Sequence, residues 1–419
     1  MSHLLDEILR AQKRGEPRGI PSICSAHPAV LDCALQEFRP VLIEATCNQV
    51  NQFGGYTGMN PADFHHFVQQ KAEDARFPVD ELILGGDHLG PSPWQALPER
   101  EAMANAVDLV KSYARAGFTK LHIDCSMRLG GDDPGKPLAV EVSAKRTAML
   151  IRAAEKTVKD SSNLRYVIGS EVPIPGGAHE HESGVQVTLP SSARETLDST
   201  QIALQKIGCG KAWEKVIALV VQPGVEFGSD FVLDYDPEKA TGLAIFSESQ
   251  PVIYEAHSTD YQKPLALKNL VRDHFAILKV GPALTYAYRE ALFALAMMEA
   301  ELFNEGERSN LIQVIEETML QEPKYWQGYY QGSMGEVGFQ RKYSLSDRIR
   351  YYWNFPPVKQ AATRLMNNWA GREIPPSLAS QYLPDIEIGT WAEQKQHSAG
   401  IFIREKIRLV LEAYYQACG

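Results

Sequence analysis

Long apolar runs are missing from this chain. None of its 419 residues belongs to a stretch as long as the roughly 20 apolar residues that cross a bilayer. Residues Met1 to Gly19 are charged and amphipathic and hold no apolar signal core, so the cytosol is the expected compartment. Cysteine is scarce: there are six, none in a C-x-x-C pair, which argues against a disulfide framework or a structural zinc site. Cys24, Cys47 and Cys125 fall in candidate strands, where the thiol behaves as a small hydrophobe. No Lys/Arg block interrupts a net charge of −10, and that excludes nucleic acid or an acidic membrane as the main partner. An intact nucleotide loop is missing too. Gly130 to Lys136 has the glycine and lysine spacing of a phosphate-binding loop, but Pro137 stands where a magnesium-binding hydroxyl is needed, so no nucleotide is expected.

What remains is ordinary for a globular protein, at 44% hydrophobic and 22% charged residues, and it is arranged on a repeating plan. Short apolar segments at 19–27, 41–47, 81–87, 120–126, 165–171, 216–222, 251–257 and 275–280 read as strands. Helical stretches at 29–37, from about 62, and at 99–116, 140–158 and 191–207 lie between them. Alternating strands and helices of this number predict an α/β fold, a (β/α)8 TIM barrel. An open doubly wound sheet is the alternative, but it would not explain why polar residues end every segment. A short helix around Leu4–Leu9 precedes the first strand. Beyond 283 the chain is expected to stay helical, with helices at 285–303, 310–320, 344–353, 357–369 and 404–417. Aromatic loops punctuated by Gly and Pro are expected at 323–338 and 373–384. The predicted organisation is a barrel with its N-terminal helix over 1–304 and a helical appendage packed on it over 305–419.

Barrel chemistry belongs at the C-terminal ends of the strands. There the chain places Ser25 and His27; Glu44, Thr46 and Asn48; Asp87 and His88; and His122, Asp124 and Ser126. Glu171, Gln222 and Glu226, then Glu255, His257 and Thr259, and Lys279 before Gly281, complete the ring. Buried without partners, such groups would cost about 1–3 kcal/mol each, so a polar ligand, water or a metal ion is implied. His88, His257 and Glu171 are the predicted metal ligands, a donor set that suits zinc or a similar divalent ion. Asp87, with Glu171 and Asp124, is the predicted proton-transfer group. The competing view makes these histidines ordinary hydrogen-bonded members of a pocket wall. Glu44, Asn48, Ser126 and Lys279 are predicted to bind substrate. Ser258, Thr259 and Gly281 occupy the loops where a phosphate would meet backbone N–H groups. The aromatic cluster Tyr325, Trp326, Tyr329, Tyr330, Tyr351, Tyr352 and Trp353 is expected to be appendage core or an interface.

Several strings resemble one family: SICSAHP at 22–28, IEATCNQVNQFGGYTGM at 43–59, ILGGDHLGP at 83–91, VIGSEVPIPGG at 167–177, YEAHSTDYQ at 254–262 and FAILKVGPALT at 275–285. With YSLSDRIRYYW at 343–353 and SQYLP at 380–384, they are similar to the GatZ/KbaZ family over nearly the whole chain. That family comprises the Z subunits of class II D-tagatose-1,6-bisphosphate aldolase. The resemblance implies a non-catalytic subunit that stabilises a Y-type aldolase subunit in catabolism of galactitol, N-acetylgalactosamine or tagatose. It also implies an oligomer and a sugar-phosphate ligand. Family members are also labelled tagatose-6-phosphate kinases.

A more distant resemblance is to class II aldolases themselves. Asp87-His88 matches their strand-three pair, Ile123 to Ser126 their I-D-x-S, and His257 their strand-seven ligand. Gln222-Pro223-Gly224 stands where they carry a strand-six histidine, so one expected ligand is absent. Glu171, Glu226 or Glu255 would have to replace it. The alternative expectation is therefore a metal-dependent ketose or ketose phosphate aldolase or epimerase in its own right.

Overall fold

The structure, a computed structural model, describes residues 3–133, 135–169, 185–382 and 398–419. It begins with helix α1 (Leu4–Lys13), whose Leu5 and Ile8 are fully buried. They plug the bottom of a closed ring of eight parallel strands. The strands are β1 (Ile20–Ile23), β2 (Val41–Thr46), β3 (Leu82–Leu89), β4 (Lys120–Asp124), β5 (Arg165–Gly169), β6 (Val216–Val220), β7 (Ile253–Ala256) and β8 (Phe275–Val280). They pair in chain order, and β8 closes on β1 through Ile277 opposite Ile20. This is the TIM barrel that the alternation of apolar segments predicts.

Helices connect the strands: α2 (Pro28–Glu37), α3 (Pro61–Asp74), α4 (Glu99–Arg115), α5 (Val140–Glu155), α6 (Pro190–Lys206), α7 (Pro237–Glu248) and α8 (Pro264–Arg272). Proline at the first turn starts five of these seven, where its missing N–H has no helical partner to lose. A small antiparallel pair, Glu226–Phe227 with Val232–Leu233, follows β6.

After β8 come α9 (Pro282–Leu302), α10 (Leu311–Gln321), α11 (Met334–Tyr343), α12 (Pro356–Asn368), α13 (Pro376–Tyr382) and α14 (Ala399–Cys418). The helix expected over 344–353 is not there. Asp347 takes φ +42°, a left-handed conformation that stops a helix, and only the single 3-10 turn Arg348–Tyr351 forms. The helical residues fall earlier, in α11, which begins inside the expected loop at 323–338 and runs past its end. Ser333 and Glu336 form a capping box there: the Glu336 carboxylate accepts from Ser333 N at 2.7 Å, and Ser333 Oγ accepts from Glu336 N. Helix α13 likewise forms inside the expected loop at 373–384.

The last helix returns to the barrel. α14 packs on α2, α8 and α9, and Cys418 O accepts from Gly19 N at 2.9 Å, just ahead of β1. Tyr414 donates its hydroxyl to Thr259 O at 2.6 Å. One hydrophobic core joins barrel and C-terminal helices, from Val30 and Leu109 to Trp369 and Leu411. No helix of the described residues is long and apolar enough to cross a membrane.

Candidate active site at the barrel mouth

The barrel interior changes character along its axis. Its lower layer is apolar, with Ile20, Leu42, Val167, Ile217 and Ile277. Above it lies a layer of buried ions. Lys120 bridges Glu44 and Glu255, and Lys279 reaches Asp87 Oδ1 at 2.7 Å and Glu44 Oε2 at 2.9 Å. Strand β3 makes room for this layer. A Cβ at Gly85 would stand 2.7 Å from Glu44 Cγ, so glycine lets the Glu44 side chain pass. Ions buried this deeply cost several kcal/mol each unless closely paired, so the layer is fully interlocked.

Asp87 and His88 are neighbours on one strand and would ordinarily point to opposite sides. A bulge brings both to the mouth. Gly86 pairs with Leu121 and Leu89 with Ile123, so Asp87 and His88 together face the single residue His122. His88 takes φ +49° to allow this.

Asp87, His88, His122 and His257 are all buried, and one ligand atom from each lies within 4.8 Å of the others. The imidazole rings stand 4.9 to 5.1 Å apart. A carboxylate holds one nitrogen of each: Asp124 Oδ2 on His88 Nδ1 at 2.9 Å, Asp87 Oδ1 on His122 Nδ1 at 2.8 Å, and Glu255 Oε1 on His257 Nε2 at 3.0 Å. His122 Nε2 is buried with no hydrogen-bond partner. A buried imidazole held on one side and open on the other is the usual arrangement of a metal ligand.

The electrostatics agree. Burial would raise the Asp87 carboxyl, but His88, Lys279 and His122 hold it well below the usual range. Burial is likewise outweighed at Asp124, brought to about 2 by its hydrogen bond to His88. Burial lowers His257 to about 3, so it stands neutral and ready to ligate. Burial lowers His88 too, yet Asp87 and Asp124 bring it above its ordinary value. Glu44, Asp87, Asp124 and Glu255 face two ammonium groups, Lys120 and Lys279, and the His88 imidazole, which Asp87 and Asp124 hold toward its protonated form. A dication taking the place of that proton suits the negative charge that remains. Lys279 is no free amine for covalent catalysis: burial favours the neutral form, but Asp87, Glu44 and Glu255 keep it protonated.

A cavity of about 880 Å³ opens above this cluster. Asn48, Asp87, His88, His257, Ser258, Lys279 and Gly281 of the predicted residues line it. Glu44 lies beneath it, fully buried in the ion layer. Asp124 sits behind His88, and Ser126 donates its hydroxyl to Asp124 Oδ1 at 2.6 Å. Thr259 turns away and donates to Lys279 O at 2.6 Å. Glu171 lies outside the described residues. Gln222, in the place of the absent histidine, is a loop staple: its Oε1 accepts from Gly224 N at 2.7 Å and Val225 N at 3.1 Å.

Sequence reasoning put His122 at the mouth but gave it no role. The signal was its two-residue spacing from Asp124, which places both on one side of β4. Also missed were cavity residues from beyond the barrel strands: Tyr56 of the loop after β2, and Tyr329, Arg350, Tyr351 and Trp353 of the C-terminal part. The aromatic cluster thus divides, with Tyr352 fully buried in the core and Tyr329, Tyr351 and Trp353 walling the cavity.

A family model described as "D-tagatose-1,6-bisphosphate aldolase subunit GatZ/KbaZ-like" matches residues 5–419. The crystal structure of a probable tagatose 6 phosphate kinase from Sinorhizobium meliloti 1021 is 45% identical, with a TM-score of 0.88. The match covers 96% of this chain and 100% of that one. The YdjI aldolase from Escherichia coli K12 is 13% identical at a TM-score of 0.44, covering 85% of this chain and 97% of that one, too distant to inform the site.

Proposed function

This chain belongs to the D-tagatose-1,6-bisphosphate aldolase subunit GatZ/KbaZ-like family, and from that premise we propose that it is itself a metal-dependent enzyme acting on a ketose phosphate. The reaction would be cleavage and formation of the carbon–carbon bond between the α and β carbons of the ketone, C3–C4 of the sugar. The observation that carries this reading is the set of three imidazoles, His88, His122 and His257, each backed by a carboxylate and gathered so that one ligand atom from each lies within 4.8 Å of the others. A shell of this kind exceeds what a supporting subunit needs.

In this reading His88, His122 and His257 hold a divalent ion, with zinc the best match to nitrogen donors. Bound there, the ion would polarise the ketone and hydroxyl oxygens of the substrate. Asp87 is the proton carrier, standing between His122 and Lys279. Lys279 keeps Asp87 ionised, and a substrate that displaces the ammonium group would restore its basicity. Asp124 and Glu255 orient the imidazoles, and Asn48 and Ser258 are placed to meet substrate hydroxyls. If the two fragments separate, the outcome is an aldolase. If they rejoin on the other face of the aldehyde, it is an epimerase. The same groups serve both.

The second reading, a supporting subunit for a separate aldolase, is favoured by the family description. Among the described residues a kinase finds no phosphate loop: the helix after Gly130 to Lys136 begins only at Val140.

The test is metal analysis of purified protein, followed by NMR of ketose 6-phosphates and ketose 1,6-bisphosphates incubated with it. One tightly held dication and chelator-sensitive conversion at C3 or C4 are expected. Protein that holds no dication and converts none of these sugars, yet raises the activity of a co-expressed Y-type subunit, would establish the supporting role instead.

A further inference from the structure

In barrels of this kind a phosphate commonly sits at the helix start after the eighth strand. Here that position is filled from within. Asp260 Oδ1 accepts from Gly281 N at 3.0 Å and from Ala283 N at 2.8 Å, the donors at the start of α9. A ligand anion must therefore find its donors elsewhere in the cavity.

Arg350 supplies them. It lies on the 3-10 turn Arg348–Tyr351, which the C-terminal part lays over the barrel mouth, and it lines the same cavity as His88 and His257. Its Nη1 is held by the carbonyl oxygens of Ser346 and Asp347, and its Nη2 donates to Tyr351 Oη at 3.1 Å. Among the described residues no carboxylate comes within ion-pair distance of this guanidinium. Asp260 and Asp347 feel its charge only from farther away. Lys279, the other deep cation of the cavity, is already committed to Asp87 and Glu44.

The guanidinium is also framed. Tyr56 meets Tyr351 edge to face at 4.8 Å, and Tyr351 stacks on Tyr325 at 5.1 Å. Two phenols from different parts of the chain thus border a fixed cation with donor capacity left over. That is the chemistry of a phosphoryl site.

We propose that Arg350, bordered by Tyr56 and Tyr351, anchors the phosphoryl group of the ligand. The identity of the ligand as a ketose phosphate rests on the functional reading above; capture of the anion by Arg350 needs no metal. The C-terminal part of the chain would then complete the site that the barrel opens.

The experiment is calorimetric titration of chelator-treated full-length protein with D-fructose 6-phosphate and, separately, D-fructose. Wild-type protein should bind the phosphate ester more tightly than the free sugar, roughly ten- to a hundredfold. Arg350→Gln should erase that difference and leave metal stoichiometry intact. Arg350→Lys, which keeps the charge but loses the fork, should retain part of it, and serves if the glutamine variant fails to fold. Folded Arg350→Gln or Arg350→Lys with the wild-type preference would overturn the proposal. So would a phosphate preference seen only in metal-loaded protein, which would make the ion the anchor. Failure of the metal reading alone would leave the metal-free result untouched.

Discussion

At the scale of single residues, His122 is the most informative side chain. It is fully buried, one nitrogen is held by Asp87, and the other has no partner. As a mere core histidine it would leave a polar atom unsatisfied, at a cost of about 1–3 kcal/mol. As a ligand it would not. His122→Ala should therefore abolish stoichiometric metal, while Asp124→Asn, which touches the metal only through His88, should weaken it by roughly 10–100-fold. Plasma emission analysis after gel filtration reads both. Full retention of metal by His122→Ala would leave His88 and His257 without their third partner.

Asp260 makes a prediction about pH. Burial raises its carboxyl to about 6, against the pull of the Ala283 and Gly281 N–H groups and of Arg350. Tyr261 and Tyr414 also face it. Unfolded, the carboxyl titrates near 3.9. Between these values the folded protein keeps a proton that the unfolded chain releases, so this residue's contribution falls as pH rises from about 4 to 6. The substitution Asp260→Asn would keep an acceptor for both N–H groups without the charge. Relative to that variant, wild type should lose on the order of 2–3 kcal/mol of stability between pH 4 and pH 7. Urea unfolding at the two pH values measures it, and a pH-independent difference would refute the assignment.

At the scale of elements, the eight strands were legible because each is an apolar run ending in a polar residue. The mouth was legible for the same reason: Asp87, His88 and His257 announce themselves at strand ends. What could not be read was contact between distant parts of the chain. Asp260 capping α9 and Arg350 swinging over the mouth depend on how loops return, and no local pattern encodes that. The turn at 348–351 stands where a helix is expected over 344–353, because the left-handed Asp347 interrupts the run. The bulge in β3 was hidden too, though Gly90 gave a hint. A Cβ there would stand 1.7 Å from Asp124 O, so this strand can pass β4 only as glycine. Gly90→Ala should force the two strands apart where Asp124 holds His88, at a cost of at least about 1–3 kcal/mol. Thermal unfolding and metal content should fall together. A variant with a lowered melting temperature and unaltered metal affinity would mean that the β3–β4 contact does not position the site.

At the scale of the whole molecule, the C-terminal helices bear on the same core as the barrel. Leu411 and Trp369 share one cluster with Val30 and Leu109, and α14 ties Cys418 back to Gly19 at the entrance to β1. Tyr414 bonds Thr259, whose own hydroxyl bonds the carbonyl of Lys279, so the last helix is two hydrogen bonds from the ion layer. Barrel and C-terminal part should then unfold as one unit despite the length of the chain. A dication that binds only the folded cluster stabilises by about 2.7 kcal/mol at a hundredfold excess over its dissociation constant. Calorimetry should accordingly show a single transition that moves up as a whole with added zinc, and removal of residues 399–419 should abolish it. Two transitions, with only the earlier or only the later responding to zinc, would mean that the C-terminal part is an independent body and that α14 has no hold on the metal cluster.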